Sequence, residues 1–214
     1  MALCATIRRM VIRRRRKPIG VVLAGGLGLR LGGGKASVEL AGRPLISYPL
    51  AALASALPEV AVIAKSDSEL PSMPGVTVWI EPDAPRHPLV GMIEALGIAR
   101  DRPVVVCAVD LPFVTPELIG RLARADPRKA PAVVTTCRGA MQPLLGCYYP
   151  RALEPLRRAA AMPNVALTDV VADLSPRLLE VEDPDELLNV NAPEDILHAA
   201  ALLDRQRAQP KVKS

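Results

Sequence analysis

An apolar run, Ile19 to Leu23, leads straight into a loop with six glycines among the eleven residues from Gly25 to Lys35 and only two charges, Arg30 and Lys35. Glycine has no Cβ and takes positive φ freely, so several backbone N–H groups in such a loop can turn toward one anion. The two cations then reach phosphates further along. Ordinary glycine turns are polar and seldom follow a buried strand with Arg and Lys at set points. The segment therefore reads as a strand feeding a phosphate-binding turn, with a nucleoside triphosphate as the expected ligand.

Two better-known glycine motifs do not fit. A Walker A loop needs Gly, four spacers, Gly, Lys and then Ser or Thr. Gly28 and Gly33 have that spacing, but Gly34 intervenes before Lys35, and Ala36 stands where the magnesium-binding hydroxyl belongs. A dinucleotide fingerprint needs Gly-x-Gly-x-x-Gly, and neither Gly25 nor Gly26 starts it.

Downstream, strand-like and helix-like segments alternate. Strands are expected at Ile19 to Leu23, Val60 to Ala64, Val76 to Ile80, Pro103 to Ala108, Ala132 to Thr136, Leu144 to Tyr149 and Leu178 to Val181. Helices are expected at Leu45 to Ala56, Leu89 to Arg100, Pro116 to Ala125, Arg151 to Ala160, Asn164 to Ala172 and Pro193 to Arg207. Alternation implies parallel strands with crossover helices. The two strands around residue 140, with no helix between them, imply a mixed sheet with one antiparallel member. The expected fold class is α/β, a single Rossmann-like three-layer domain over residues 18–207. Residues 1–17 form a basic extension read as disordered, and 208–214 a short tail.

Composition agrees with one compact unit, since half of the 214 residues are apolar. Trp79, Phe113, Tyr48, Tyr148 and Tyr149 are the only aromatic residues, so Val, Leu and Ala must carry the packing. Cys4, Cys107, Cys137 and Cys147 lack metal-ligand spacing, and with only His87 and His198 beside them no structural zinc site is expected. Cys107 and Cys147 sit in apolar runs and read as small core residues. Seven Arg and Lys residues lie between Arg8 and Lys17, more than the whole net charge of +5, so the body is slightly acidic. No aromatics are interleaved there for base stacking, and no nucleic-acid partner is expected. With no spanning apolar stretch and no secretory pattern, a cytoplasmic protein without a membrane partner is the simplest reading. Oligomeric state is not specified.

In an open α/β sheet, ligands bind beyond the carboxyl ends of the strands at the topological switch point. The Gly25 loop follows one strand, and Asp110 follows the run Val104 to Val109; both should face one crevice. A carboxylate emerging from so apolar a run is costly unless paired or bound to a cation. Magnesium, held through one or two carboxylates plus phosphate oxygens, answers that need. Asn191, just before the helix opened by Pro193, is a second candidate metal contact, and an N-cap role for it is equally open. Lys65 ends a strand and is a candidate for shaping the nucleotide pocket. His87 reads as a loop residue without a catalytic role.

The segments Leu23-Ala24-Gly25-Gly26, Arg30, Gly32, Lys35 and Glu39 to Leu45 resemble the opening of the molybdenum cofactor guanylyltransferase family of nucleotidyltransferases. The likeness recurs in order at His87 to Met92, Cys107 to Phe113, Gln142 to Leu144 and Asn189 to Asp195, spanning roughly residues 19–203. It implies transfer of GMP from GTP to a molybdopterin-type phosphate acceptor, with magnesium as cofactor and pyrophosphate released. By the same resemblance Leu23, Ala24, Gly25 and Gly26 read the base, Asp83 lies near the nucleotide, and Asp110 and Asn191 hold the metal; at Lys65 the family often has Asn. Arg30 and the loop amides would hold the leaving phosphates, and Lys35 the α-phosphate. The acceptor face is expected at Gln142 to Leu145 and Asn164 to Asp169. Two departures stand out: Gly34 where many members have Asp, and Leu31 where Met is usual. Phospholactate, sugar or polyol phosphates as acceptors, and a nucleotide-binding module without transfer, remain open alternatives.

Overall fold

The computed structural model describes residues 16–26, 28–31 and 33–208. Strand β1 (Ile19–Leu23) is fully buried and enters the glycine loop. A small hairpin, β2 (Glu39–Leu40) and β3 (Arg43–Pro44), turns through Ala41 and Gly42, both at positive φ, and leads to helix α1 (Ser47–Ala56). Next come β4 (Val60–Ala64), β5 (Thr77–Ile80), α2 (Pro88–Ala99), β6 (Val104–Ala108) and α3 (Pro116–Arg124). Thr115 caps α3 through Oγ1, which accepts from Leu118 N at 3.1 Å, just before Pro116. The chain continues through β7 (Ala132–Cys137), β8 (Ala140–Tyr148), α4 (Leu153–Ala160), α5 (Leu167–Asp173), β9 (Arg177–Glu180) and α6 (Pro193–Ala208).

The seven-stranded sheet runs β5-β4-β1-β6-β8-β7-β9, and β8 alone is antiparallel to its neighbours. This is the expected single α/β domain with a mostly parallel mixed sheet. β8 starts at Ala140, four residues earlier than its apolar run suggests, because Arg138 and Gly139 at positive φ close a tight hairpin from β7. The first half of β8, Ala140 to Pro143, holds no β-branched residue and includes a proline, so it gave no strand signal. Helix α5 starts at Leu167, not Asn164, since Asn164 has positive φ and the chain is not yet helical there.

Alternation along β1 sends Val22 to the face covered by α1 and α3, and Ile19, Val21 and Leu23 to the face covered by α2 and α4. β6 divides in the same way, Val105 and Cys107 to one side and Val104 and Val106 to the other. Cys107 and Cys147 are fully buried, as expected of core residues. A third cluster, Leu40, Leu45, Phe113, Val190 and Ala199, seats α6 and the small hairpin beside the sheet. Within the described residues no helix is long and apolar enough to cross a membrane. Cys4 and most of the basic run lie outside the described residues.

From β1 the chain moves to β4 and β5 on one side and returns to β6 on the other. The strand order therefore reverses between β1 and β6. Both of these parallel strands end at one edge, which places the glycine loop and Asp110 at the switch point.

Candidate active site

A cavity of about 300 Å³ opens at that edge, near the lower end for small-molecule sites. Leu23, Gly25, Gly26, Lys35, Lys65 and Asp110 line it, together with Glu81, Arg86, His87, Gly91 and Leu144. A second hollow of about 190 Å³ lies across Lys35, against Ala24, Gly33 and Gly34, and is faced by Asp67 and Glu69. Most of the expected nucleotide contacts are thus gathered in one crevice. Arg30 is not among the residues lining either hollow; it is exposed in a 3-10 turn, Leu29–Leu31.

The loop is held by its own glycines. Gly28 takes φ +60, and a Cβ there would come within 2.6 Å of Lys35 Cβ, so the loop folds directly over the root of Lys35. Gly28 O accepts from Leu31 N at 2.8 Å and from Gly33 N at 3.2 Å. The cradle of amides expected for Gly25 to Gly34 is correspondingly thinner, because two of these N–H groups are used inside the loop. Gly34 takes left-handed φ +50, and a Cβ on it would stand 2.9 Å from Glu69 Oε2. A side chain at position 34 would meet both strain and that carboxylate.

At the mouth of the cavity three side chains converge from distant parts of the chain. Lys35 Nζ donates to Asp110 Oδ2 at 2.8 Å and to Asn191 Oδ1 at 2.6 Å. Asp110 is brought there by the turn after β6, where Val109 N donates to Leu23 O at 3.2 Å. Asn191 is not the cap of α6. Asp195 Oδ2 accepts from Asn191 N at 2.8 Å and Ala192 N at 2.9 Å, which leaves the Asn191 side chain to face Lys35. Those two bonds hold the Asp195 carboxyl below the usual range. Of the two readings of Asn191, the structure removes capping by its side chain.

At the inner end, Lys65 and Glu81 form a buried pair, 2 % and 6 % exposed. Lys65 Nζ lies 3.4 Å from Glu81 Oε1 and donates to Pro82 O at 2.5 Å. Glu81 Oε2 is buried and has no hydrogen-bond partner. Burial raises the Glu81 pKa, and the nearby Lys65 charge offsets only part of that rise. Gly25 and Gly91 make room for this carboxyl: a Cβ at residue 25 would collide with Oε1, and one at residue 91 would lie 2.9 Å from Oε2.

Asp83, expected near the nucleotide, is instead exposed and bound to Ser66, whose Oγ donates to it at 2.8 Å. Those bonds lower its pKa. Glu81 is the carboxylate that reaches the cavity. Sequence reading passed over it because Glu81, Pro82 and Asp83 form one polar turn; β5 pairing in register with β4, Ala64 beside Ile80, is what aims residue 81 inward. His87 is the N-cap of α2, its Nδ1 accepting from Leu89 N at 3.2 Å, in keeping with a structural role. Beyond it a further hollow of about 480 Å³ joins Arg86 and His87 to Asn164 and Val165, the start of one expected acceptor segment.

Among the described residues no group of three or more His, Cys, Asp and Glu side chains is placed to hold a metal. Asp110 and Asn191 offer two hard oxygens turned toward one cation, Lys35 Nζ. Magnesium takes this number from a protein when substrate phosphates complete its octahedron, so the donor set fits.

The model of the MobA-like NTP transferase domain matches residues 20–176, which include the loop, Lys65, Glu81 and Asp110. The chain belongs to the MobA-like NTP transferase family. It is 31% identical over 188 residues to a molybdenum cofactor guanylyltransferase of Cereibacter sphaeroides, covering 86% of this chain and 96% of that protein. The fold is similar to that of molybdopterin-guanine dinucleotide biosynthesis protein A from Archaeoglobus fulgidus, with TM-score 0.69, 20% identity, and coverage of 87% of this chain and 99% of the other. It is also similar to 2-C-methyl-D-erythritol 4-phosphate cytidylyltransferase from Thermus thermophilus, with TM-score 0.65, 21% identity, and coverage of 86% and 98%. Solved structures of this fold thus carry names that refer to a guanine dinucleotide and to cytidylyl transfer, and the fold alone does not select the nucleotide.

Proposed function

We propose that this member of the family transfers GMP from GTP to the phosphate of a molybdopterin-type acceptor and releases pyrophosphate. The observation that carries the reading is the pairing of two ends in one crevice. At the mouth stand Lys35, Asp110 and Asn191; at the inner end stands a buried carboxylate oxygen with no partner. Guanine presents a ring N–H and an amino group side by side on one edge, both donors, whereas an ionised carboxylate only accepts. Cytosine offers a single amino group on the corresponding edge. The open space at Gly26, where a Cβ would meet nothing within 4 Å, leaves room for a purine.

An acceptor phosphate is already an anionic nucleophile at neutral pH, so attack on the α-phosphorus needs positioning and charge neutralisation more than a general base. Lys35 would donate to the α-phosphate oxygens as charge builds on them. The loop around Gly26 would face the β- and γ-phosphates that leave. Arg30 remains a candidate for those phosphates only if the loop carries it inward. Asp110 and Asn191 would hold magnesium, which supplies neutralisation of the phosphate oxygens when bound. In this reading no proton transfer is assigned to His87, whose Nδ1 caps α2.

The test is pyrophosphate release with GTP and magnesium in the presence of molybdopterin, against CTP and against sugar phosphates or phospholactate. Release confined to GTP with molybdopterin is the expected outcome. Release with another acceptor would reassign the substrate, and nucleotide binding with no pyrophosphate release in the presence of any acceptor would make the chain a binding module.

A further inference from the structure

We infer that two copies of this chain pair through strand β5, antiparallel about a two-fold axis at Trp79, so that their sheets join edge to edge.

The two edges of the seven-stranded sheet, β5 and β9, are built differently. β9 is fenced by charge. Arg177 Nη1 donates to Asp126 O at 2.6 Å, Arg121 Nη2 donates to Glu180 O at 2.8 Å, and Glu180 Oε1 accepts from Arg138 N at 3.2 Å. β5 reads Thr-Val-Trp-Ile, with neither a charge nor a proline to keep another strand away. Among the described residues its one ladder partner is β4. Glu81 N donates to Ala64 O at 2.9 Å, toward β4, and alternation along the strand then turns the N–H and C=O groups of Val78 and Ile80 outward. The side chains of the same two residues are open, with Val78 40% and Ile80 58% exposed.

The occupant follows from the register. In an antiparallel pair, residues directly opposite each other point to the same face of the sheet. A two-fold axis at Trp79 sets Val78 opposite Ile80 of the second copy, and Ile80 opposite Val78 of that copy. These are the residues whose backbone groups face outward, so each pair exchanges both its N–H···O bonds. Val78 and Ile80 lie on the α1 side of the sheet, as do Val62 and Ala64 beside them in β4. The pairing therefore covers the exposed apolar side chains with one another. On the other face Trp79 meets its own copy. A ribbon of four-residue strands alone would be marginal. The apolar face continues past Val76, however, into a groove of about 370 Å³ lined by Leu50, Ala54, Val60 and Met73, which extends the surface available to the contact. A strand that matches itself closes the assembly at two copies. Because the paired strands run in opposite directions, the crevices at the carboxyl ends of the two sheets point opposite ways, and neither is covered.

The experiment is sedimentation equilibrium of the full chain at concentrations on the order of 1–100 μM, where interfaces of modest size associate. A reversible monomer–dimer equilibrium is expected, and the emission of Trp79, the only tryptophan, should shift in step with it. Val78→Lys and Ile80→Glu should each weaken self-association at least ~10-fold, because every cross-strand pair then sets a charge against an apolar residue. Mixed in equal amounts the two variants should associate again. The mixed dimer sets Lys against Glu in one pair and keeps Ile against Val in the other. Thermal melts check that each variant is folded. A chain that stays monomeric over the whole range, a dimer that either variant leaves intact, or a mixture of the folded variants that stays monomeric would each overturn the inference. Trp79 emission that ignores dilution of the parent through a dimer–monomer transition would overturn it too, and that readout needs no variant.

Discussion

At the mouth of the crevice Lys35, Asp110 and Asn191 satisfy one another, whereas a few residues deeper Glu81 keeps one carboxylate oxygen buried with no partner at all. The mouth is partly open to water and its charges are already balanced, so a ligand there must exchange partners. At the inner end the Lys65–Glu81 charges are paired but one buried carboxylate oxygen lacks a hydrogen bond, so a ligand there completes a missing bond. An unmade hydrogen bond in the interior costs more than a made one contributes. On the proposed reading this contrast is a division of labour: the mouth would serve turnover and the inner end discrimination between bases. Removing groups from the first should change rates more than folding, and removing groups from the second should change affinity and stability together.

The sharpest way to break that division is Lys35→Ala. Loss of a donor aimed at developing charge should lower turnover on the order of 10²–10³-fold, with a melting temperature close to the parent's; steady-state pyrophosphate release and a thermal melt check both. An unchanged rate would remove Lys35 from the chemistry. Next in size is Glu81→Gln, which keeps the shape but discards the charge. GTP affinity should fall about 10-fold, the scale of one charge-assisted hydrogen bond, and the melting temperature should rise because a buried carboxylate is gone. Equilibrium binding of GTP and CTP to the two proteins would show whether the preference between bases narrows.

A pH series sharpens the same contrast. The folded-state pKa of Glu81 lies above its ordinary value because burial disfavours the ion. For an acid shifted upward, its contribution to stability is fully present below the unfolded value and is lost as pH rises through the folded one. Lowering the pH through this window should stabilise the free protein while weakening GTP, since the protonated carboxyl loses an acceptor. Glu81→Gln should flatten that part of both profiles. If GTP affinity instead stays level across it in the parent, Glu81 does not face the base. The smallest effect is expected at His87→Gly: loss of the α2 cap should cost only a few tenths of a kcal/mol, read from denaturant melts.

Much of this was legible from residue order. The apolar run before Gly25 and the run before Asp110 announced two buried parallel strands, and their carboxyl ends could meet only at one edge. The missing helix between β7 and β8 announced the antiparallel member. What escaped was set by long-range packing. β8 begins in Ala140, Met141 and Gln142, which lack strand propensity and are strand because β7 pairs with them. Asn191 looked as much like a cap as a ligand until Asp195, four residues on, was seen to hold the backbone instead. Asp83 and Glu81 are two residues apart in one polar turn, and nothing local distinguishes them.

The sequence by itself determined the order of strands and helices, the glycine loop after the first strand, and which cations and carboxylates were available at strand ends, because periodicity and glycine content act over a few residues. Only the tertiary structure decided that Lys35, Asp110 and Asn191, separated by up to 156 positions, share one point, that Arg30 stays outside the hollows, and that Glu81 and not Asp83 looks into the cavity. Those outcomes depend on strand register and on the burial of charge, and both are properties of the assembled sheet.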